Sequence, residues 1–153
     1  MRGSMKEKYA FVMMIREKWW REFCSLNYKG KKAFSYVQGG WAPPKSTSLI
    51  FFYVTKPMGE IAGYAEFIER KVGDAEGLWR EHGKESVLKS KEQYEEFIRD
   101  KERVSFIRFR NLHEAVKPVS LNNVLMLLGV KRLARKGFYI DKETADKLIT
   151  LMA

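Results

Sequence analysis

Cationic and aromatic side chains are interleaved over residues 27–57 in a pattern suited to a ligand that carries negative charge and flat rings. Lys29, Lys31 and Lys32 surround Gly30, Tyr36 follows in an aromatic run, and Gly39-Gly40 leads into Trp41. A second aromatic run, Leu49–Val54, closes the segment before Pro57. Ammonium groups meet phosphate and rings stack on bases, so the chemistry implied is recognition of a nucleotide or nucleic acid.

Beside a glycine, Lys29, Lys31 and Lys32 let the backbone come close to a ligand while their charges meet phosphate or a base carbonyl; an ordinary solvated turn has the same composition. Trp41 stands between two glycines and Pro43-Pro44, where it serves either as a surface over a base or as a plug at a barrel end. Arg108 and Arg110 alternate with Phe106 on one face of a candidate strand, fit to grip phosphate beside a stacked ring or simply to cover apolar surface with their stems. Lys131, Arg132, Arg135 and Lys136 crowd four cations around one turn, a repulsion that an anionic partner relieves. Trp19, Trp20, Phe23, Met13 and Met14 read as core.

A chain of 153 residues with 45% hydrophobic side chains makes one domain, expected over 5–153, with Met1-Arg-Gly-Ser4 as an expression remnant. The net charge of +10 is segregated: residues 1–40 hold nine basic against three acidic side chains, residues 101–140 nine against two, and residues 74–100 eight acidic against five basic. Such polarity predicts one positive face and a nucleic-acid partner. No apolar run is long enough to span a bilayer and no secretory leader is evident, so a cytoplasmic protein is expected. Cys24 is the only cysteine and the two histidines lie far apart in sequence, so neither a disulfide nor a metal centre is expected, and no cofactor.

The elements that must hold these residues follow from periodicity. Strands are predicted at Tyr9–Ile15, Ala33–Gln38, Leu49–Thr55, Gly59–Arg70 and Val104–Val116, the last ended by Pro118, with a brief extended piece over Lys136–Ile140. Ile15, Trp19, Phe23 and Leu26 recur at helical spacing. Asp74, Ser90, Ser120 and Asp141 each stand where a helix N-cap is needed. Short helices among five or six strands give a single α+β domain with a partly closed barrel.

The order of these pieces resembles the PUA-like superfamily, including its ASCH and EVE relatives. Gly30-Lys-Lys32, Ile50 through Pro57, and Gly59 through Glu66 carry the likeness, and Arg135 through Asp141 before a last helix resembles an archaeal PUA-like family of unassigned function. The resemblance implies a mixed-sheet pseudobarrel of five or six strands with peripheral short helices, and a cleft beside the Gly-Lys-Lys turn that binds RNA, with tRNA or rRNA as the expected partner. On that expectation Lys29–Lys32, Arg108, Arg110 and the 131–136 cluster hold phosphates while Trp41 or Tyr36 holds a base. Some ASCH relatives deacetylate a modified cytidine with a lysine, a hydroxyl nucleophile and a glutamate. Matching that motif puts Lys32 and Ser35 in the first two places, with Glu66 or Glu85 as the carboxylate, and predicts an amidohydrolase as the alternative. The arginine that should follow the nucleophile is missing near Val37, and on a regular strand Lys32 and Ser35 point to opposite faces.

Overall fold

A computed structural model describes residues 8–153; Met1–Ser4, read above as a remnant, lies outside the described residues. Six strands are formed, β1 (Ala10–Ile15), β2 (Ala33–Gly39), β3 (Leu49–Val54), β4 (Glu60–Asp74), β5 (Arg103–Ser120) and β6 (Phe138–Ile140). Five helices join them, α1 (Glu17–Tyr28), α2 (Ala75–His82), α3 (Lys91–Ile98), α4 (Leu121–Leu128) and α5 (Lys142–Met152). One mixed sheet runs in the order β2-β5-β4-β3-β1-β6, with β1 and β3 parallel and the other pairs antiparallel.

Period-two alternation assigns the two cores. From β3, Ile50, Phe52 and Val54 enter one cluster, and Phe51 and Tyr53 enter the other, which is why that strand is apolar without interruption. The first core lies inside the curl of the sheet. There Phe23 of α1 meets Phe34, Tyr36 and Phe109 edge-on, and Phe34 stacks on Phe109 at 5.2 Å. The second core lies between the sheet's other face and helices α4 and α5, and receives Val124, Ala145, Leu148 and Met152.

The four predicted N-caps all form. Asp74, Ser90, Ser120 and Asp141 accept hydrogen bonds from the amides of Gly77, Gln93, Asn123 and Thr144. Two expectations are corrected. Strand β5 does not stop at Pro118 but runs to Ser120, because Ile61 pairs with Val119 and Gly63 with Glu114, leaving residues 115–118 bulged out of the ladder where a proline needs no partner. Phe106, expected on a ligand-facing surface with Arg108 and Arg110, is fully buried beneath Tyr94 of α3.

The curl is not closed by a ladder. Strand β2 pairs only with β5, and β1 only with β3 and β6, so β1 and β2 face each other across a seam. The Tyr36 hydroxyl reaches over it to the Met14 carbonyl at 3.5 Å. That seam positions the candidate site.

Candidate functional site

The wall from β1 contributes Phe11, Met13 and Met14, and the wall from β2 contributes Gln38 and Gly39. Trp41, Ala42 and Pro43 form one end, Arg135 and Lys136 the other, around a cavity of about 290 Å³. A neighbouring cavity of about 300 Å³ shares Met14 and Arg135 with the first and adds Lys131, Arg132, Tyr53 and Leu125. The two make one trough with an apolar floor and a cationic rim. Lys131, Arg132, Arg135 and Lys136 are all exposed. None has an ion-pair partner among the described residues.

The aromatic end is built by hydrogen bonds. Strand β2 ends at Gly39, and the Gly40 amide donates to the Arg103 carbonyl at 2.8 Å. The fully buried Ser105 hydroxyl donates to the Gly40 carbonyl at 2.6 Å and accepts from the Ala42 amide at 2.9 Å. Arg70 donates to the Ala42 carbonyl at 3.0 Å and lays its guanidinium 5.7 Å from the centre of the Trp41 ring. The loop is thereby fixed while Trp41 remains 69% exposed. One ring face is braced by Arg70 and solvent reaches the rest.

The cationic end depends on Gly137. Its φ is +90°, and a Cβ there would lie 2.5 Å from the Val12 carbonyl oxygen. Only glycine lets the 131–136 turn press against β1 and bring Arg135 and Lys136 to the seam.

Tyr36 lies in the wall rather than on the surface. Its ring is buried against Phe23, so it offers no face to a base; between the two predicted base holders, Trp41 alone does. Burial pushes the Tyr36 hydroxyl up to about 12, against the opposing influence of Gln38 and Arg16, so at neutral pH it is a neutral phenol. Arg16, Gln38 and Arg70 were missed by sequence reasoning. Arg70 had no local signal, since its tie to Ala42 spans 28 residues.

The other predicted residues are placed elsewhere. Lys29, Lys31 and Lys32 stand at the opposite end of β2 from Trp41. The strand covers six residue steps, about 20 Å at ~3.4 Å per residue. The expectation of one hollow enclosed by every basic cluster is therefore corrected: the 131–136 turn meets Trp41, and the Lys29–Lys32 turn does not.

Arg108 is committed to carboxylates. Its Nε and Nη2 donate to the two Glu85 oxygens at 2.9 Å each, and Nη1 donates to Glu69. Arg110 pairs with Glu66 at 3.3 Å, and Asn111 donates to the same carboxylate at 2.8 Å. Hydrogen bonds from Asn111 and then Arg110 hold the Glu66 carboxyl below its ordinary range.

The trio of Lys32, Ser35 and Glu66 is not assembled. Ser35 is fully buried and donates to Glu85 Oε1 at 2.8 Å, beneath the turn that follows α2. His82 Nδ1 lies 3.2 Å from the same oxygen. Glu85, the other candidate carboxylate, does meet Ser35, while Arg108 holds both of its oxygens. Burial alone would raise its carboxyl, but the hydrogen bonds from Arg108 and Ser35 outweigh it and hold the group ionised. A larger groove of about 670 Å³ beside Leu127 and Leu151 carries paired charges of both signs, Lys142 with Asp146 and Lys147 with Glu143, and no ring.

No protein-family model matches the chain. A curated protein of Zymomonas mobilis, named an ASCH domain-containing ribonuclease, is 26% identical over 132 residues, covering 86% of this chain and 87% of that protein. The crystal structure of ASCH from the same organism superposes with a TM-score of 0.76 at 22% identity, over 98% of both chains. A serine-to-alanine variant of it gives 0.77 at 20% identity, over 97% of this chain and 99% of that one. The superpositions establish a shared fold. They give no support to the narrower archaeal family.

Proposed function

We propose that this chain is a PUA-like protein of the ASCH type and that it binds single-stranded RNA, seating one nucleotide in the trough between β1 and β2. The observation that carries the reading is the meeting of an exposed, braced tryptophan with unpaired cations around one apolar-floored cavity. Trp41 stacks on a base, Gln38 faces its polar edge, and Arg135 and Lys136 hold phosphate, with Lys131 and Arg132 continuing the rim. The name of the Zymomonas relative favours RNA as the anion. Within that class, tRNA and rRNA are the partners to test first.

The test is titration of short fluorescent RNAs. Trp41→Ala removes a stacking surface and is expected to weaken binding by about 1–3 kcal/mol. Arg135→Ala and Lys136→Ala should each lower the slope of log affinity against log salt by about 0.7, the single-strand value per phosphate contact. Unchanged affinity and slope in all three variants refutes the reading.

A second reading, that the bound strand is also cut, is favoured by the same relative's name; shortened RNA on a denaturing gel decides it. The deacetylase alternative finds no such support, because Ser35 is sealed under the turn after α2.

A further inference from the structure

Between α2 and α3 lies a groove of about 510 Å³ that shares no lining residue with the trough. Residues 74–100 hold eight acidic against five basic side chains, yet four of those five bases, Arg80, Lys84, Lys89 and Lys91, line this groove. Glu76 is the one carboxylate beside them. Lys91 meets Glu76 at 3.2 Å and Lys89 meets Glu22 at 3.4 Å, largely exposed pairs that contribute little. Arg80 and Lys84 are exposed and have no ion-pair partner among the described residues. The dipole of α2 explains a cation in its last turn, hence Arg80, but not the convergence of three more from beyond that helix. The frame beneath them is fixed. The Tyr94 hydroxyl donates to the Ala75 carbonyl at 2.6 Å and ties α3 to the start of α2. The Trp79 ring stacks on Tyr94 at 4.6 Å, and a Cβ on Gly83 would lie 2.7 Å from that ring, so glycine lets the turn lie against it. The Ser86 hydroxyl donates to the Gly83 carbonyl at 2.8 Å and accepts from the Leu88 amide at 3.2 Å.

We infer that this groove binds a compact polyanion bearing a diphosphate group, either inorganic or carried by a nucleoside. Its volume lies within the usual range of small-molecule sites. Arg80 offers a planar fork that takes two phosphate oxygens at once, and Lys84 and Lys89 supply point charges beside it. One phosphate ester brings about two negative charges at most, which leaves four cations and one carboxylate unbalanced. A second, linked phosphate comes nearer to matching them. A nucleic-acid strand fits poorly. Glu81, Glu92, Glu95 and Glu96 stand exposed on the same two helices and repel phosphates that continue past the groove. Trp79 is already stacked on Tyr94 and packed against Gly83, so it is a wall of the groove and not a platform for a base.

The test is calorimetric titration of the full chain with inorganic pyrophosphate, adenosine diphosphate and sulfate at equal ionic strength, without divalent metal. Pyrophosphate or the nucleotide should bind at least tenfold more tightly than sulfate. Tighter binding of the nucleotide assigns the diphosphate to a nucleoside, and equal or tighter binding of pyrophosphate assigns it to the free anion. Replacing Arg80→Gln and Lys84→Gln together should weaken binding at least tenfold. Lys117→Gln with Lys147→Gln, which removes the same charge from exposed positions elsewhere, should not. Should the Arg80/Lys84 variant melt below wild type, Lys89→Gln carries the same comparison. In an amide-resolved NMR titration, pyrophosphate should move residues 79–91 first. Four results overturn the inference: no preference over sulfate, equal loss in the two double variants, amide movement confined to Gly39–Ala42 and Arg135–Gly137, or movement of residues 79–91 by an RNA dodecamer at lower concentration than by pyrophosphate.

Discussion

Ser105 is buried on all sides and bonded to both ends of the Gly40–Ala42 turn. Removing its hydroxyl leaves the Ala42 amide and the Gly40 carbonyl without their partner in a region water cannot easily enter. Ser105→Ala should therefore cost about 1–3 kcal/mol of stability, seen as a lowered melting temperature, and should weaken ligand binding by loosening Trp41. Gly137→Ala tests the other rim. The positive φ alone costs about 1–2 kcal/mol for a residue with a Cβ, and the contact with the Val12 carbonyl adds to it. A lower melting temperature together with weaker binding in the trough is the expected outcome. At this scale the sequence was partly legible. It marked Trp41 as an odd tryptophan and the 131–136 turn as overcharged. It could not tell Arg135 from Arg108, because a cation's availability depends on which carboxylates the fold brings near, and Glu69 and Glu85 lie 39 and 23 residues from Arg108.

The segment from α2 to α3 shows the same limit among elements. Its caps and helices could be read from Asp74 and Ser90, and its acidic balance was evident. That it covers β2 and β5 could not be read, since Leu78, Tyr94 and Ile98 are too few to name the surface they pack on. Once docked, it sets Glu85 against Ser35, Arg108 and His82. The Glu85 carboxyl binds a proton less readily folded than unfolded, so the stabilisation it provides is complete above its ordinary value of 4.5 and falls as pH drops through its lower folded value. Urea titrations between pH 3 and 7 should show wild-type stability declining over that acid window and a Glu85→Gln variant declining less. Parallel curves for the two proteins would exclude Glu85 as the group responsible.

Over the whole molecule, charge segregation in the sequence became separation in space, though not the separation expected. The acidic segment shields one face of the sheet, and cations gather at both ends of β2 instead of around one hollow. The fold class and nearly every element were foreseeable from alternation and capping, because those signals are local, whereas the mixed sheet was an expectation of the family resemblance alone. The seam was not, because an absent ladder leaves no mark on either strand's composition. Long-range charge should still govern encounter with an anionic strand, so association rates for a dodecamer should fall as salt rises, and fall less steeply when both basic clusters are neutralised.

Strand β2 has a neighbour on one edge only. Peptide groups along its other edge have no ladder partner, and at Gln38 and Gly39 they border the cavity that a guest would fill. Deuterium uptake should be quicker at those amides than in the middle of β4 or β5, and should slow when the gap is filled. Any base preference expressed through them would be written in the backbone, and would survive every side-chain replacement around it.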